Sequence, residues 1–474
     1  MATAITDIGS RRELFVDNFL IESLNGARLK LQEPRPGGVA IEYDQPWERE
    51  PAGSRSFYTS VIKDGDIYRM YYRGDMTYSC YAESTDGINW TKPSLGLVEV
   101  EGSTENNAIV KGRPLYPFVD GRAGVPDSER YKANSYVKGG LAGHVSSDGI
   151  HWRKLRDEVI VPGELVNHFD ANSVMFWSEV EDLYLLYTRH MEGGRRATAR
   201  ATSEDFVNWT GPTLMEYSNT GTTTPSEHLY TNQTQPYFRA PHIYISMPGR
   251  IFFADERHIS REDDIAFART RVITEEVRRF YDAEVGEKAG GVGDVADGVF
   301  LTSRAGSTTY DFTFRESFVR PGIGLSNWTT RNNYPACGVV QTGPTEMSLY
   351  VNRNYGQKTA YLERMTLRLD GFTSLNAPYD GGEMTTRPFT FSGKQLEINY
   401  STSAAGSIRV ELQDAEGRPV PGHGLNECRE LVGDEIARSV AWERGCSVSD
   451  LAGRPVRLRF VMKDADLYSL RFQP

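Results

Sequence analysis

Three things are scarce in this sequence of 474 residues, and each scarcity excludes a class. Cysteine is one: four residues in this length do not make a disulfide framework, and none is spaced with histidine as a zinc site would require. Cys428 and Cys446 remain a conceivable pair. Unbroken apolar runs are another. None reaches membrane-spanning length, and Met1–Asp17 has no apolar secretory core. The chain as it stands therefore reads as cytoplasmic, or as an exported protein whose leader has been removed. Positive charge is the third. The net charge is −11 and the basic spots, such as "GGRRATAR", are short, so a nucleic-acid groove is not expected. Neither is a membrane partner, while a homo-oligomer stays open. There is no phosphate loop, nucleophile elbow or dinucleotide fingerprint, and "GGVGD" near residue 290 is a lone glycine cluster. No cofactor and no metal is expected.

What is abundant is tyrosine, at 25 residues, and glycine, at 45, with prolines spread along the chain. That composition suits short strands and tight turns. The chain also repeats itself. "STDGINW" (Ser84–Trp90), "SSDGIHW" (Ser146–Trp152) and "SEDFVNW" (Ser203–Trp209) recur at a period of about sixty residues, as repeat architectures do. The Asp and the residue after it make a turn, the Ser side chain bonds backbone, and the Trp returns to pack between units. Asp86, Asp148 and Asp205 are accordingly structural. Strands of alternating aromatic and aliphatic residues precede two of these turns, "DGDIYRMYY" and "VEDLYLLYT". "RAPHIYISMP" and "EMSLYVNRNY" read as the same strand in later units.

About five such units fit between residues 40 and 365. Radially arranged, they predict an all-β chain: a five-bladed β-propeller over residues 1–365, followed by a β-sandwich over 366–474. A segment reading helical from about residue 274 is an insertion in the fourth unit. Asp17, in "ELFVDNFLIES", bonds a turn on a strand expected to close the propeller ring.

On these features the chain resembles the invertase, inulinase and levanase family of glycoside hydrolases and its arabinanase relatives. "SEDFVNW" is close to the turn those propellers use. "WEREPAG", ahead of "SVIKDGDIYRMYY", sits where that family has Trp, an acid, Pro and Gly. The C-terminal sandwich occupies the matching place. The family's nucleophile is Asp, where this chain has Glu50, and its "Arg-Asp-Pro" and "Glu-Cys" motifs are absent. The resemblance implies a carbohydrate substrate, a furanoside or another plant or marine sugar, cleaved by paired carboxylates in a central funnel.

Glycoside hydrolysis needs one acid to protonate the leaving oxygen and one carboxylate as nucleophile or base. Candidate catalytic acids at innermost-strand positions are Glu48 and Glu50 in the first blade, Glu129 in the second and Asp170 in the third. Glu48 and Glu50 share a face if extended, and one of them is expected to oppose Asp170. Candidate substrate contacts are Asp120, His168, Arg239, His242, Asp297, Glu316, Glu346 and Trp47. Trp177 and Trp328 are further candidates for stacking on a sugar. Two other readings remain: a carbohydrate-binding propeller without catalysis, and a sialidase- or lyase-like enzyme for acidic sugars, suggested by Arg239, Arg304 and Arg320.

Overall fold

The computed structural model describes residues 5–49, 53–75, 77–165, 172–253, 275–280, 282–283, 294–443 and 445–474. It is all-β apart from short helical turns and the helix Glu275–Phe280, which falls in the segment read as helical. The chain divides into two compact units, residues 34–366 and residues 1–33 with 367–474.

In the larger unit, antiparallel sheets follow one another along the chain. Phe57–Asp64, Ile67–Gly74, Tyr78–Ser84 and Ala108–Lys111 form the first. Tyr116–Val119, Tyr131–Val137, Gly140–Ser146 and Arg153–Lys154 form the second, and Val174–Ser178, Leu183–Glu192, Arg195–Ser203 and Trp209–Leu214 the third. A shorter sheet, Gln235–Tyr237, Ala240–Ser246 and Leu301–Arg304, comes next. In the last, Val340–Gln341, Glu346–Arg353 and Tyr361–Arg368 are completed by Arg35–Glu42 from the start of the unit. That pairing of chain start with chain end is how a propeller removes its open edge. The leading strand of each sheet lines one axial cavity, so the sheets are arranged radially. Gly249–Phe252 and Val295–Gly298 continue the hairpin of the fourth sheet and pair with each other, and Gly249–Phe252 also pairs with His228–Leu229.

The Trp turns behave as their residue types dictate. Asp86 Oδ1 accepts from the amides of Ile88 and Asn89, and Asp148 and Asp205 repeat the pattern. Burial opposes ionisation of Asp205, but the amides of Asn208 and Val207 prevail and hold its carboxyl down at about 2. Trp90 meets Tyr350 edge-on at 5.6 Å and Trp152 meets Tyr71 at 6.3 Å, so each indole reaches the preceding sheet. All three indoles are half-buried rather than enclosed. Gly87 and Gly149 adopt φ of +71° and +77°, and Phe206 holds the same turn at +70°.

The smaller unit is one ten-stranded sheet folded over its own core. Its long strands, Gln395–Asp414 and Val456–Gln473, pair along their length with register shifts between Asn399 and Tyr400 and between Thr402 and Ser407. Residues 1–33, expected in the propeller, belong here instead. Glu13–Leu14 pairs with Val456–Gln473, Ile21–Asn25 with Gly382–Thr386, and Arg28–Leu31 with Thr373–Ala377. The cause is burial: Ile8, Phe15, Leu20 and Ile21 fill this unit's core. Asp17 does bond a turn, accepting from the Phe19 amide at 3.0 Å, but its segment does not close the propeller. Cys428 and Cys446 are both free thiols.

Candidate functional site

The leading end of the inner strands carries the signs of a built site. Tyr58, Asn172, Gln233 and Asn333 stand at or just ahead of the strands of four successive blades among the described residues, and all have left-handed backbone, with φ of +57°, +78°, +52° and +64°. A bulky residue such as Tyr58 is held there only by its surroundings. Those surroundings are polar bonds between sheets. Gln233 Nε2 donates to the Pro335 carbonyl at 3.0 Å, Asn232 Nδ2 to that of Tyr187 at 3.1 Å, and Asn333 Nδ2 to that of Ala296 at 2.8 Å.

Aromatic side chains gather at the same end. Phe57 stacks on Tyr58 at 3.6 Å, Tyr58 meets Tyr116 edge-on at 6.5 Å, and Tyr230 lies 5.5 Å from Tyr334. The hydroxyls of Tyr58 and Tyr230 are 3.0 Å apart. Arg331 donates to the Tyr355 hydroxyl at 3.3 Å, and the Arg73 guanidinium lies 4.4 Å from the Phe57 ring centroid. Burial pushes the Tyr334 phenol well above its ordinary range, and its hydroxyl has no hydrogen-bond partner. Asn172 is 3% exposed, and neither atom of its amide is bonded. Two buried, unsatisfied polar groups at one end of the axis are costly unless a ligand or water meets them.

The described residues of "WEREPAG", Trp47–Arg49 and Gly53, are fixed on both sides of Glu50. Pro46–Glu48 is a 3₁₀ turn that points the Glu48 carboxylate inward. There it accepts from the Gln45 amide at 3.0 Å and the Tyr72 hydroxyl at 2.5 Å, and pairs with Lys92 at 2.7 Å. Burial outweighs these partners and holds the carboxyl above its usual range. The Glu48 carbonyl accepts from the hydroxyls of Ser54 and Ser56, at 2.5 and 2.8 Å. Ser54 and Gly356 then exchange strand-like bonds with the fifth sheet, the Gly356 amide donating to Ser54 at 2.7 Å and the Ser54 amide to Gln357 at 3.1 Å. A Cβ on Gly53, whose φ is +147°, would lie 2.2 Å from the Gly356 carbonyl oxygen, so only glycine permits this approach.

The remaining sequence candidates separate. Glu50, Asp170 and His168 lie outside the described residues. Glu48 is committed to Lys92 and Tyr72, and its side chain is shielded from solvent. Asp120 and Glu129 follow the inner strand Tyr116–Val119 rather than lead it, which puts them at the opposite end of the axis. Asp120 pairs there with Lys132 at 2.8 Å and accepts from Tyr184 at 2.5 Å. Glu129 faces Lys132 and Arg153 at 3.6 and 3.5 Å. Arg239, His242 and Glu346 also sit past the turn that ends an inner strand, and Glu346 pairs with Arg364 at 2.8 Å. Asp297 is held by Arg250 through two bonds, at 2.9 and 2.6 Å. Glu316 is exposed, beside Arg315, whose side chain pairs with Glu227. Trp47 is half-buried and donates to Asn107 at 2.7 Å. For Asp120, Glu129, Asp297 and Glu346 a neighbouring cation has used the charge, which the sequence alone does not display. The residues missed were Tyr58, Asn172, Tyr230, Arg331 and Tyr334. Their signal is faint: a tyrosine or asparagine in a short polar run just before an inner strand, as in "SFYTS" and "LYTNQT".

Among the described residues no group of three His, Cys, Asp or Glu side chains is placed to hold a metal. No described helix is long and apolar enough to cross a membrane.

No family model matches the chain, and no curated protein matches it. Solved structures resemble it at low identity. A structure described as a glycoside hydrolase is 11% identical over 71% of this chain and 92% of its own, with a TM-score of 0.45. A family 43 arabinoxylan arabinofuranohydrolase from Bacillus subtilis, in complex with cellotetraose, is 11% identical over 91% of this chain and 98% of its own, at 0.43. A fructofuranosidase from Schwanniomyces occidentalis, complexed with fructosylnystose, is 8% identical over the same shares, at 0.37.

Proposed function

We propose that this chain is a glycoside hydrolase built on a five-bladed propeller, working at the leading end of the inner strands with Glu50 and Asp170 as its paired carboxylates. The observation that carries the reading is the pinned loop. Glu48 is fixed by several bonds and Gly53 by its close approach to the Gly356 carbonyl, so the four residues between them are tethered at both ends. Positioning of this kind is what an acid needs to meet one bond of a bound substrate. Asn172, two residues after Asp170, stands at the same end with its amide unbonded. The aromatic rings of Tyr58, Tyr230 and Tyr334 suit the apolar face of a sugar, and their hydroxyls its edge.

One carboxyl would protonate the departing glycosidic oxygen while the other attacks the anomeric carbon or deprotonates water. A separation of about 5.5 Å gives retention and about 6.5–9.5 Å gives inversion. Glu48 positions the loop and does not touch substrate. A second reading, an enzyme for acidic sugars, is favoured by Arg331, whose guanidinium lies 5.7 Å from the Tyr355 ring at this end.

The experiment is to assay wild type, Glu50→Gln, Asp170→Asn and Glu48→Gln on aryl glycosides, aryl uronides and polysaccharides. Loss of several orders of magnitude in kcat for the first two variants, with Tm kept, is the expected result. Wild-type turnover in both would sink the assignment. Binding without turnover on every substrate would favour a non-catalytic propeller, and turnover confined to uronides the second reading.

A further inference from the structure

A cavity far roomier than the one between the leading-end tyrosines lies elsewhere on the axis. It lies farther along the axis, about 540 Å³ in volume, walled by the inner strands toward the ends where Lys63, Trp177, Phe238 and Gln341 emerge. Between the tyrosines and asparagines of the leading end the described residues leave only about 10 Å³. A cavity of several hundred cubic ångströms is the size of a small-molecule site.

Its chemistry is specific. Among the described residues no carboxylate lines it, so they supply no acid pair there and no partner to a cation. The one cation among them, Lys63, is already 4.9 Å from the Tyr68 ring. At the rim, Trp177 is half-buried and Phe238 is 43% exposed. Tyr184 meets the Trp177 ring edge-on at 4.8 Å. Within the wall, the Gln235 Nε2 is shielded from solvent and has no hydrogen-bond partner. An unpaired buried donor costs free energy that a ligand acceptor restores.

We propose that this cavity is a second ligand site, binding without hydrolysis a neutral monosaccharide that lays an apolar ring face on Trp177 and Phe238 and gives a hydroxyl oxygen to Gln235. Aromatic platforms with a few placed amides suit an uncharged polyol, and a lining without a carboxylate among the described residues disfavours a cation.

The test is calorimetric titration of the full chain with glucose, galactose, mannose, arabinose and fructose, repeated on Trp177→Ala, the near-isosteric Gln235→Leu, and the double variant Glu50→Gln/Asp170→Asn. At least one sugar should bind saturably. Gln235→Leu should weaken it about tenfold and Trp177→Ala more, while the carboxylate double variant binds as wild type does. That last arm separates this site from the proposed catalytic one: loss of binding there alone would assign the signal to the leading end and overturn the proposal. Absence of saturable binding by any sugar would overturn it too, as would unchanged affinity in Gln235→Leu, or saturation by cyclohexanol and by no sugar.

Discussion

The carboxylate of Glu48 sits 2.7 Å from the Lys92 ammonium with no exposure to solvent, while its own backbone carbonyl receives the hydroxyls of Ser54 and Ser56. One residue therefore joins a buried ion pair to the loop that carries Glu50. Removing one partner of such a pair leaves the other charge uncompensated. Glu48→Ala should lower unfolding free energy by about 3–5 kcal/mol in denaturant titration. Glu48→Gln keeps an acceptor for Tyr72 and should cost less, with kcat within tenfold of wild type. A loss of turnover in Glu48→Gln matching that in Glu50→Gln, at unchanged stability, would return Glu48 to the chemistry.

That arrangement also shows where the sequence was legible. The Trp turns were readable because Ser-x-Asp bonding is local: each Asp meets amides two and three residues on. Strand alternation, by contrast, suggested that Glu48 and Glu50 share a face. Glu48 itself lies in the 3₁₀ turn Pro46–Glu48, Glu50 lies outside the described residues, and Lys92, 44 residues away, holds the Glu48 carboxylate. Asp120 was misplaced for a related reason. Its neighbourhood reads as a strand with acids, but the apolar Tyr116–Val119 is the inner strand and the acid follows it. The tyrosine cluster comes from separate blades, so nothing short-range marks it. The allotment of residues 1–33 was equally nonlocal, since those strands find partners more than 340 residues on.

The second repeat turn leaves no room for a side chain. Gly149 has φ +77°, and a Cβ there would lie 2.6 Å from the Tyr71 hydroxyl, which itself donates to the Gly149 carbonyl at 3.0 Å. Gly149→Ala should cost about 1–3 kcal/mol from backbone strain and displacement of Tyr71. Trp152→Ala, at a half-buried site, should cost about 2–3 kcal/mol, less than full burial would imply. Thermal melts of both variants check this; an unchanged Tm for Gly149→Ala would mean the turn rearranges freely.

Stability should depend on pH through His144. Burial, reinforced by Lys154, lowers its pKa from 6.5 to about 4, and Ser135 bonds its ring at 2.9 Å. A depressed folded pKa favours the neutral ring, so its contribution is full above the unfolded value and is lost as pH falls through the folded one. Between pH 6.5 and 4 the loss should reach roughly 3 kcal/mol. Denaturant titrations at several pH values should show this slope in wild type and a flatter one in His144→Gln. Equal slopes would remove His144 as the cause.

In the smaller unit, the N-terminal segment is fastened by charge as well as by its apolar residues. Arg12 Nη2 donates to Glu397 at 2.6 Å, and Nη1 donates to Ser469 at 2.9 Å and lies 3.5 Å from Asp370. Arg471 Nε donates to the same Glu397 oxygen at 2.8 Å and its Nη2 to the other at 3.1 Å. Burial would raise the Glu397 pKa, but the two arginines overcome it and hold the carboxyl below its usual range. Arg12→Ala should therefore take a cation from beside Asp370, which is fully buried, and leave Glu397 with Arg471 and Gln473. The expected cost is about 3–5 kcal/mol. Hydrogen exchange should then quicken at Glu13–Leu14 and along the Val456–Gln473 strand they pair with. Arg12→Met, which keeps the packing of the side-chain stem, should show a similar loss, because the charge rather than the volume is what the two carboxylates require. If Arg12→Met restores wild-type stability, the segment is held by its apolar residues alone and the ion cluster contributes nothing net.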